Sequence, residues 1–327
     1  MAILAVENLD IIPFKGMNKT FRNGTISFIA GANNSYKTLL IKVLSGIVKT
    51  EEKIRVNRTF VEQITTKQYP YQIQVIFEDE NFKEYLFEVL EAMFTCVENG
   101  LHTQGILQGS LQLKRVAGSM YQQALNTHHE MAQERLFIAS YAYAVSEENA
   151  DGHMIVTAPT CGASGVLPAI LYYAHHQMGL KKRDLVKALA IGGLYGNTVK
   201  YNATIAGADG GCQAEVGTAC AMASASMAWI NELNNSLVDY AAEMGLEHNL
   251  GLTCDPVGGY VQIPCIERNA LAALRAYDAA MLAGQLGYVR KNKVPFDTVV
   301  RVMKETGKDL NVAYKETSLG GLAKELK

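Results

Sequence analysis

Apolar residues change their spacing near residue 82. Before it, short β-branched runs at 3–6, 25–29, 54–56 and 72–77 alternate with turns, which predicts strands. After it the apolar period is 3.6 and predicts helices over 82–97, 119–145, 165–178, 184–199, 214–233, 236–248, 266–286 and 296–304. The pairs His128-His129 and His175-His176 fall on two of these helices, where a solvated face accounts for them. Residues 1–90 hold four of the 28 glycines and none of the six cysteines, so the two parts also differ in chemistry. The expected fold is mainly α. A small truncated α/β segment over 1–85 precedes an all-α domain over 88–327, the change of period lying between residues 80 and 92.

A chain of 327 residues with 49% hydrophobic and 19% charged residues buries a core, which excludes disorder as its main theme. A net charge of -2 gives no global field to draw nucleic acid or anionic lipid. No apolar run reaches the roughly 18 residues a membrane span needs, and Met1 opens no basic-then-apolar leader. We expect a cytoplasmic chain with no nucleic-acid partner and no membrane span. Cys96, Cys161, Cys212, Cys220, Cys254 and Cys265 are then reduced thiols or metal ligands, not disulfides.

In the first part the run 25–30 leads into Gly31-Ala32-Asn33-Asn34-Ser35-Tyr36-Lys37-Thr38 and then an apolar stretch over 39–47. Strand, loop and helix follow in the order of a phosphate-binding loop, which works by aiming backbone N–H groups and a helix N-terminus at phosphate. Such a loop has glycine before the lysine. Here Tyr36 stands there, and its Cβ and ring obstruct the close backbone approach. With Val6-Glu7-Asn8-Leu9 before the loop and Leu44-Ser45-Gly46 after it, residues 1–85 resemble the opening of an ATP-binding-cassette ATPase. The Ser-Gly-Gly-Gln signature and the acidic pair of that family do not follow, so ATPase activity is not expected. Lys37 and Thr38 are the residues that would meet a nucleotide. As a fragment of a parallel sheet with an open edge, this part is expected to be the less stable one.

In the second part three glycine-rich turns interrupt the helical pattern, around Thr157-Ala158-Pro159-Thr160-Cys161-Gly162, Gly210-Gly211-Cys212-Gln213-Ala214-Glu215, and the stretch from Thr253-Cys254-Asp255-Pro256 to Pro264-Cys265. Loops between helices are where a helical scaffold places chemistry. The intervals of 41 and then 10 residues between Cys212, Cys254 and Cys265 match no local zinc or ferredoxin pattern, and buried free cysteine is common. The wider motifs are more specific. Glu147-Glu148-Asn149-Ala150, the Thr157 to Thr160 turn, Gly211 to Gly217, the Cys254 and Cys265 segment with Glu267-Arg268-Asn269-Ala270, Lys315-Glu316-Thr317 and Gly320-Gly321-Leu322-Ala323 occur in one order. Over about residues 88–323 the chain resembles the α subunit, or α domain, of the iron–sulfur L-serine dehydratases.

That resemblance implies an L-serine ammonia-lyase whose helical domain is catalytic, with L-serine as substrate. It makes Cys212, Cys254 and Cys265 the ligands of a [4Fe–4S] cluster, and leaves Cys96, Cys161 and Cys220 as packing or loop thiols. Three thiolates leave one iron with an open position, able to act as a Lewis acid on the leaving hydroxyl. Pyridoxal phosphate is not expected, since Lys200 lacks the Ser-x-Lys context of a Schiff-base lysine. Candidate bases are Lys200, His153 and His102. Thr157, Thr160 and Asn202 are the candidate substrate-binding residues. A desulfidase-type β-elimination of cysteine, or a nucleotide-binding transport chain with no lyase activity, are the alternatives. Members of the family carry a β-type domain or subunit as well, so a β subunit in trans and a homo- or hetero-oligomer are expected. Some relatives end in a cysteine that caps the open iron, whereas this sequence ends Ala323-Lys324-Glu325-Leu326-Lys327, so self-capping is not expected. Gln108 stands where the family pattern has proline.

Overall fold

The computed structural model describes the backbone of four strands within residues 3–61, and residues 80–326, with side chains from Phe82 onward. The chain divides into two units, Met1–Tyr85 and Leu86–Lys327. The phosphate-loop residues Lys37 and Thr38, and the runs at 25–29 and 72–77, lie outside the described residues.

In the first unit β1 (Ile3–Leu9), β2 (Met17–Arg22), β3 (Ile54–Val56) and β4 (Thr59–Val61) form a sheet of order β2-β1-β3-β4. Every pairing in it is antiparallel, with Leu4 opposite Phe21 and Val56, in contrast to the parallel arrangement expected from a phosphate-loop fragment. Only two residues separate β3 from β4, and so short a connection can join only antiparallel neighbours.

The second unit is helical. Its long elements are α1 (Glu80–His102, of which the part from Leu86 belongs to this unit), α2 (Ala117–Asn126), α3 (Glu130–Ala150), α4 (Val166–His176), α5 (Lys182–Asn202), α6 (Thr218–Ile230), α7 (Asn235–Glu247), α8 (Cys265–Gly287) and α9 (Phe296–Asp309), with a last short helix α10 (Gly321–Glu325). At the centre lies α6, buried at every position but Trp229 and packed by α4, α5, α7 and α8. A helix apolar all round has to be enclosed in this way. Its small residues let the neighbours come close: a Cβ on Gly245 of α7 would stand 2.4 Å from Ser224 Oγ. Fully buried Leu167, Ile170 and Leu171 of α4 face the same core, each worth about 1.5–3 kcal/mol against exposure. Phe296, Val299, Val300, Met303 and Gly307 form the single apolar stripe of α9.

The stretch 119–145, read as one helix, is two. Thr127 is extended, and its hydroxyl accepts from the His129 amide at 3.4 Å, a local bond that competes with the helical ladder. His128-His129 therefore lies in the connection rather than on a helix face. His175 and His176 close α4 as structural residues: His175 Nδ1 meets Leu180 O at 2.6 Å, and the His176 ring stacks on Tyr172 with centroids 4.0 Å apart.

Candidate functional site

Between α5 and α6 the chain makes one helical turn at Gly207–Gly210, reverses at Gly211 with φ 75°, and enters a π-helical turn over Gln213–Gly217 that runs straight into α6. Widened turns of this kind recur at functional sites. Fully buried Gln213 fixes this one: its Nε2 donates to Gly210 O (2.8 Å) and Met303 O (3.2 Å), and its Oε1 accepts from the Gly251 amide (3.0 Å). Its own amide donates to Leu252 O, two residues before Cys254. The Cys212 and Cys254 segments are thereby laced together.

Cys254 is held in turn by the C-terminal region. Its amide donates to Tyr314 O (2.8 Å), and its carbonyl accepts from the Glu316 amide (2.7 Å). The adjacent Asp255 accepts from Thr253 Oγ1 (3.1 Å), Arg268 (3.4 Å) and the Leu322 amide (2.8 Å). Cys265 is the first residue of α8, where the helix N-terminus favours an anion. One turn on, buried Asn269 donates to Cys265 O (2.8 Å) and Gly162 O (2.7 Å) and accepts from the Gly165 amide (2.9 Å), fastening the Thr160 turn to this helix.

Within this frame Cys212 Sγ, a Glu215 carboxylate oxygen and Cys254 Sγ lie within 4.8 Å of one another, all buried. The Cys254 thiol donates to Glu215 Oε2 at 3.9 Å. The Cys212 thiol is drawn below its ordinary pKa by the neighbouring Cys254 thiol and by the Arg268 guanidinium, whereas Cys254 is raised and keeps its proton. Burial pushes Cys265 up to about 12, and the Cys212 charge adds to this; its sulfur is outside the group of three. Glu215 is raised by burial and by the charge of Glu316. Only glycine fits at Gly207, where a Cβ would stand 2.6 Å from Glu215 Oε2 and 3.2 Å from Cys254 Sγ. Reduced, buried thiols packed against a backbone position that leaves no room for a side chain are a donor set suited to a thiolate-bound cluster.

The other candidates are distributed unevenly. The Thr160 hydroxyl is buried without a hydrogen bond of ordinary geometry and lies near enough to Glu215 to favour its charged form. Thr157 is exposed, and Asn202, half-buried at the end of α5, accepts from Lys304 Nζ through its carbonyl (3.0 Å). His102 is exposed, with Nδ1 on Glu98 O (2.7 Å), and Lys200 is exposed on α5; neither shares a hydrogen bond with the cysteine group. His153, exposed and likewise without a hydrogen bond to the cysteine group, belongs to a separate charged network. Its Nδ1 lies 2.9 Å from Glu148 Oε2, and the buried Glu148 is bridged at 2.5 Å to Arg115, which also meets Asp151 at 2.5 Å and Glu147 at 3.6 Å. Gln108, in the place of the family's proline, joins this network through its amide to Asp151 Oδ1 (3.1 Å) and its carbonyl to Gln262 Nε2 (2.7 Å).

Glu215, Arg268, Asn269 and Arg115 were not singled out from sequence. Glu215 carried a usable signal, since a carboxylate three residues after a cysteine shares its side of a helical turn. Cys96 and Cys220 are buried within helices and Cys161 is exposed in the Thr160 turn.

Comparison with known proteins gives a consistent result. L-serine dehydratase of Haemophilus influenzae is 46% identical over 249 residues, covering 75% of this chain and 54% of that protein. The Streptomyces coelicolor L-serine dehydratase is 45% identical over 247 residues (75% and 54%), and L-serine dehydratase 1 of Escherichia coli 44% over 249 residues (73% and 53%). The chain thus spans about half the length of the curated relatives it matches. Residues 38–323 match the serine dehydratase alpha chain, a match that begins ahead of residue 88, inside the segment whose opening resembles a cassette ATPase. With most of its length accounted for in this way, the chain belongs to the serine dehydratase alpha chain family.

Proposed function

We propose that this chain is the catalytic part of an L-serine ammonia-lyase, which eliminates water from L-serine and releases pyruvate and ammonia. The observation that carries the reading is the convergence of Cys212 and Cys254, distant in sequence, on one buried point with Glu215, beside Cys265. Cys212, Cys254 and Cys265 would hold a [4Fe–4S] cluster. When bound, such a group with three protein ligands supplies a Lewis acid for the departing hydroxyl.

The protein's own residues do the rest. Thr160, whose buried hydroxyl lies beside Glu215, is available to hydrogen-bond the substrate, with Thr157 and Asn202 as further contacts. Of the three candidate bases His153 is favoured. Glu148 fixes one ring nitrogen and leaves Nε2 free to take the α-proton, the arrangement in which a carboxylate orients an imidazole. The aminoacrylate so formed tautomerises and hydrolyses in water without further catalysis. The curated relatives are about twice as long as the matched region, in accord with a β-type portion supplied by a partner subunit in an oligomer. No helix among the described residues is long and apolar enough to cross a membrane, which accords with a cytoplasmic enzyme.

The test is anaerobic purification or reconstitution followed by iron and sulfide analysis and a pyruvate assay. We expect about four iron atoms per chain, turnover of serine, and loss of both in Cys254→Ser. A colourless, iron-free protein after reconstitution, or turnover of cysteine in place of serine, would reject the assignment.

A further inference from the structure

Cys212, Glu215 and Cys254 meet in a geometry that suits a single ion better than it needs to for a ligand set spread over a cluster. Around a zinc-type ion the metal–sulfur distance is about 2.3 Å and the metal–oxygen distance about 2.0–2.2 Å, so neighbouring donors in a tetrahedron stand ~3.6 Å apart. Here the Cys254 sulfur and the Glu215 oxygen are 3.9 Å apart, and no two of the three donor atoms are more than 4.8 Å apart. Bringing them onto one centre takes a few tenths of an ångström for the Cys254–Glu215 pair and at most about 1.2 Å for the pairs with Cys212.

The surroundings agree. Binding a divalent ion displaces the two thiol protons to solvent, and two thiolates with one carboxylate then leave a net charge of -1. Two sulfurs select a thiophilic ion over magnesium or calcium, which take oxygen ligands. Gly207 leaves room beside the Glu215 and Cys254 donors where any side chain would intrude. Cys265 is not part of the triplet.

We propose that, in the absence of the cluster, Cys212, Glu215 and Cys254 form a mononuclear site for a thiophilic divalent cation of the zinc type, which competes with cluster assembly. The proposal shares Cys212 and Cys254 with the lyase reading and departs from it at the other two positions: Glu215 is a ligand of the single ion, and Cys265 is needed only for the cluster. Zinc would accordingly block reconstitution when added before iron and sulfide.

The full-length chain, freed of iron and reduced, is titrated with Co²⁺ and followed by its sulfur-to-metal charge-transfer and visible bands. One Co²⁺ per chain, displaced by Zn²⁺, is expected. Cys265→Ser should keep the spectrum yet fail to hold a cluster on anaerobic reconstitution. Glu215→Gln should change the visible bands and weaken binding at least about tenfold, the lower end of what loss of a group behind the ligands costs. Far-UV circular dichroism of each variant shows whether it has folded, and Glu215→Asp, which restores the carboxylate, should recover part of the affinity. Binding that is not saturable, a spectrum indifferent to Glu215→Gln in the folded protein, or equal loss in Cys265→Ser and Cys254→Ser would overturn the mononuclear site. Cobalt binding as described in a chain that never takes up iron would reject the lyase reading alone.

Discussion

The carboxylate of Asp255 accepts a hydrogen bond from the backbone amide of Leu322 at 2.8 Å, so the C-terminal region is fastened to the residue that follows Cys254. Cys254 is itself paired with Lys315, and Ser318 Oγ donates to Pro256 O at 3.0 Å. One wall of the candidate centre is therefore built from residues more than sixty positions apart. Glu316 and Ser318 take positive φ values there, 62° and 52°, a strained conformation kept in place by these contacts.

Asp255→Ala removes the acceptor of Thr253, Arg268 and Leu322 together. Losing the carboxylate shared by the part-buried Leu322 amide and by Arg268, which keeps only its bond to Thr253 O, should cost about 1–3 kcal/mol in urea unfolding. Limited proteolysis should also cut earlier within 310–326 than in the unmodified chain. Unchanged stability and an unchanged cleavage pattern would show that the tie is dispensable.

Gly207→Ala separates the site from the fold. The added methyl meets Glu215 Oε2 and Cys254 Sγ, not the apolar core. We expect iron content after reconstitution to fall well below half, with a melting temperature within about 4 °C of the parent, the shift that ~1 kcal/mol produces in a chain of this size. Full iron loading would show that a glycine is not needed there.

If His153 takes the α-proton, His153→Ala should lower kcat by about 10²–10⁴, the usual contribution of a general base. Lys200→Ala and His102→Ala should stay close to the parent. Glu148→Gln, which keeps the shape but weakens the hold on Nδ1, should also lower kcat. A larger loss in the Lys200 or His102 variant would transfer the role to that residue.

Stability should decline with alkalinity. Burial raises the carboxyls of Glu147 to about 7, of Asp239 to about 6 and of Glu243 to about 7, each above its ordinary value near 4. Such groups hold their protons in the folded state, so their contribution is complete below about pH 4 and is lost as the pH rises through 6 to 7. The free energy of unfolding should be greater at pH 5 than at pH 8. Glu243→Gln, with no charge to bury, should recover about 2–3 kcal/mol at pH 8 and flatten the slope. A parent chain equally stable at both values would contradict this.

The helices were largely legible in the sequence because a helix buries one stripe, and that stripe repeats every 3.6 residues. Ala272, Ala273, Ala276, Ala279, Ala280 and Ala283 of α8 show the pattern, as do Val299, Val300 and Met303 of α9. The break at Thr127 was not legible, since it rests on one local hydroxyl bond within an otherwise continuous period. The chemistry was legible as residue types in glycine-rich turns, and the motif order pointed to the family.

The sequence by itself determined the helical second unit and supplied the three cysteines, because local periodicity and motif order are written along the chain. Only the tertiary structure decided that Cys212 and Cys254 meet, that Glu215 faces both, that Cys265 stands outside this triplet, and that Glu148 reaches His153. Those relationships depend on how the ends of different helices are brought together by packing and by buried amides such as Gln213 and Asn269. No spacing along one segment encodes the distance between two others.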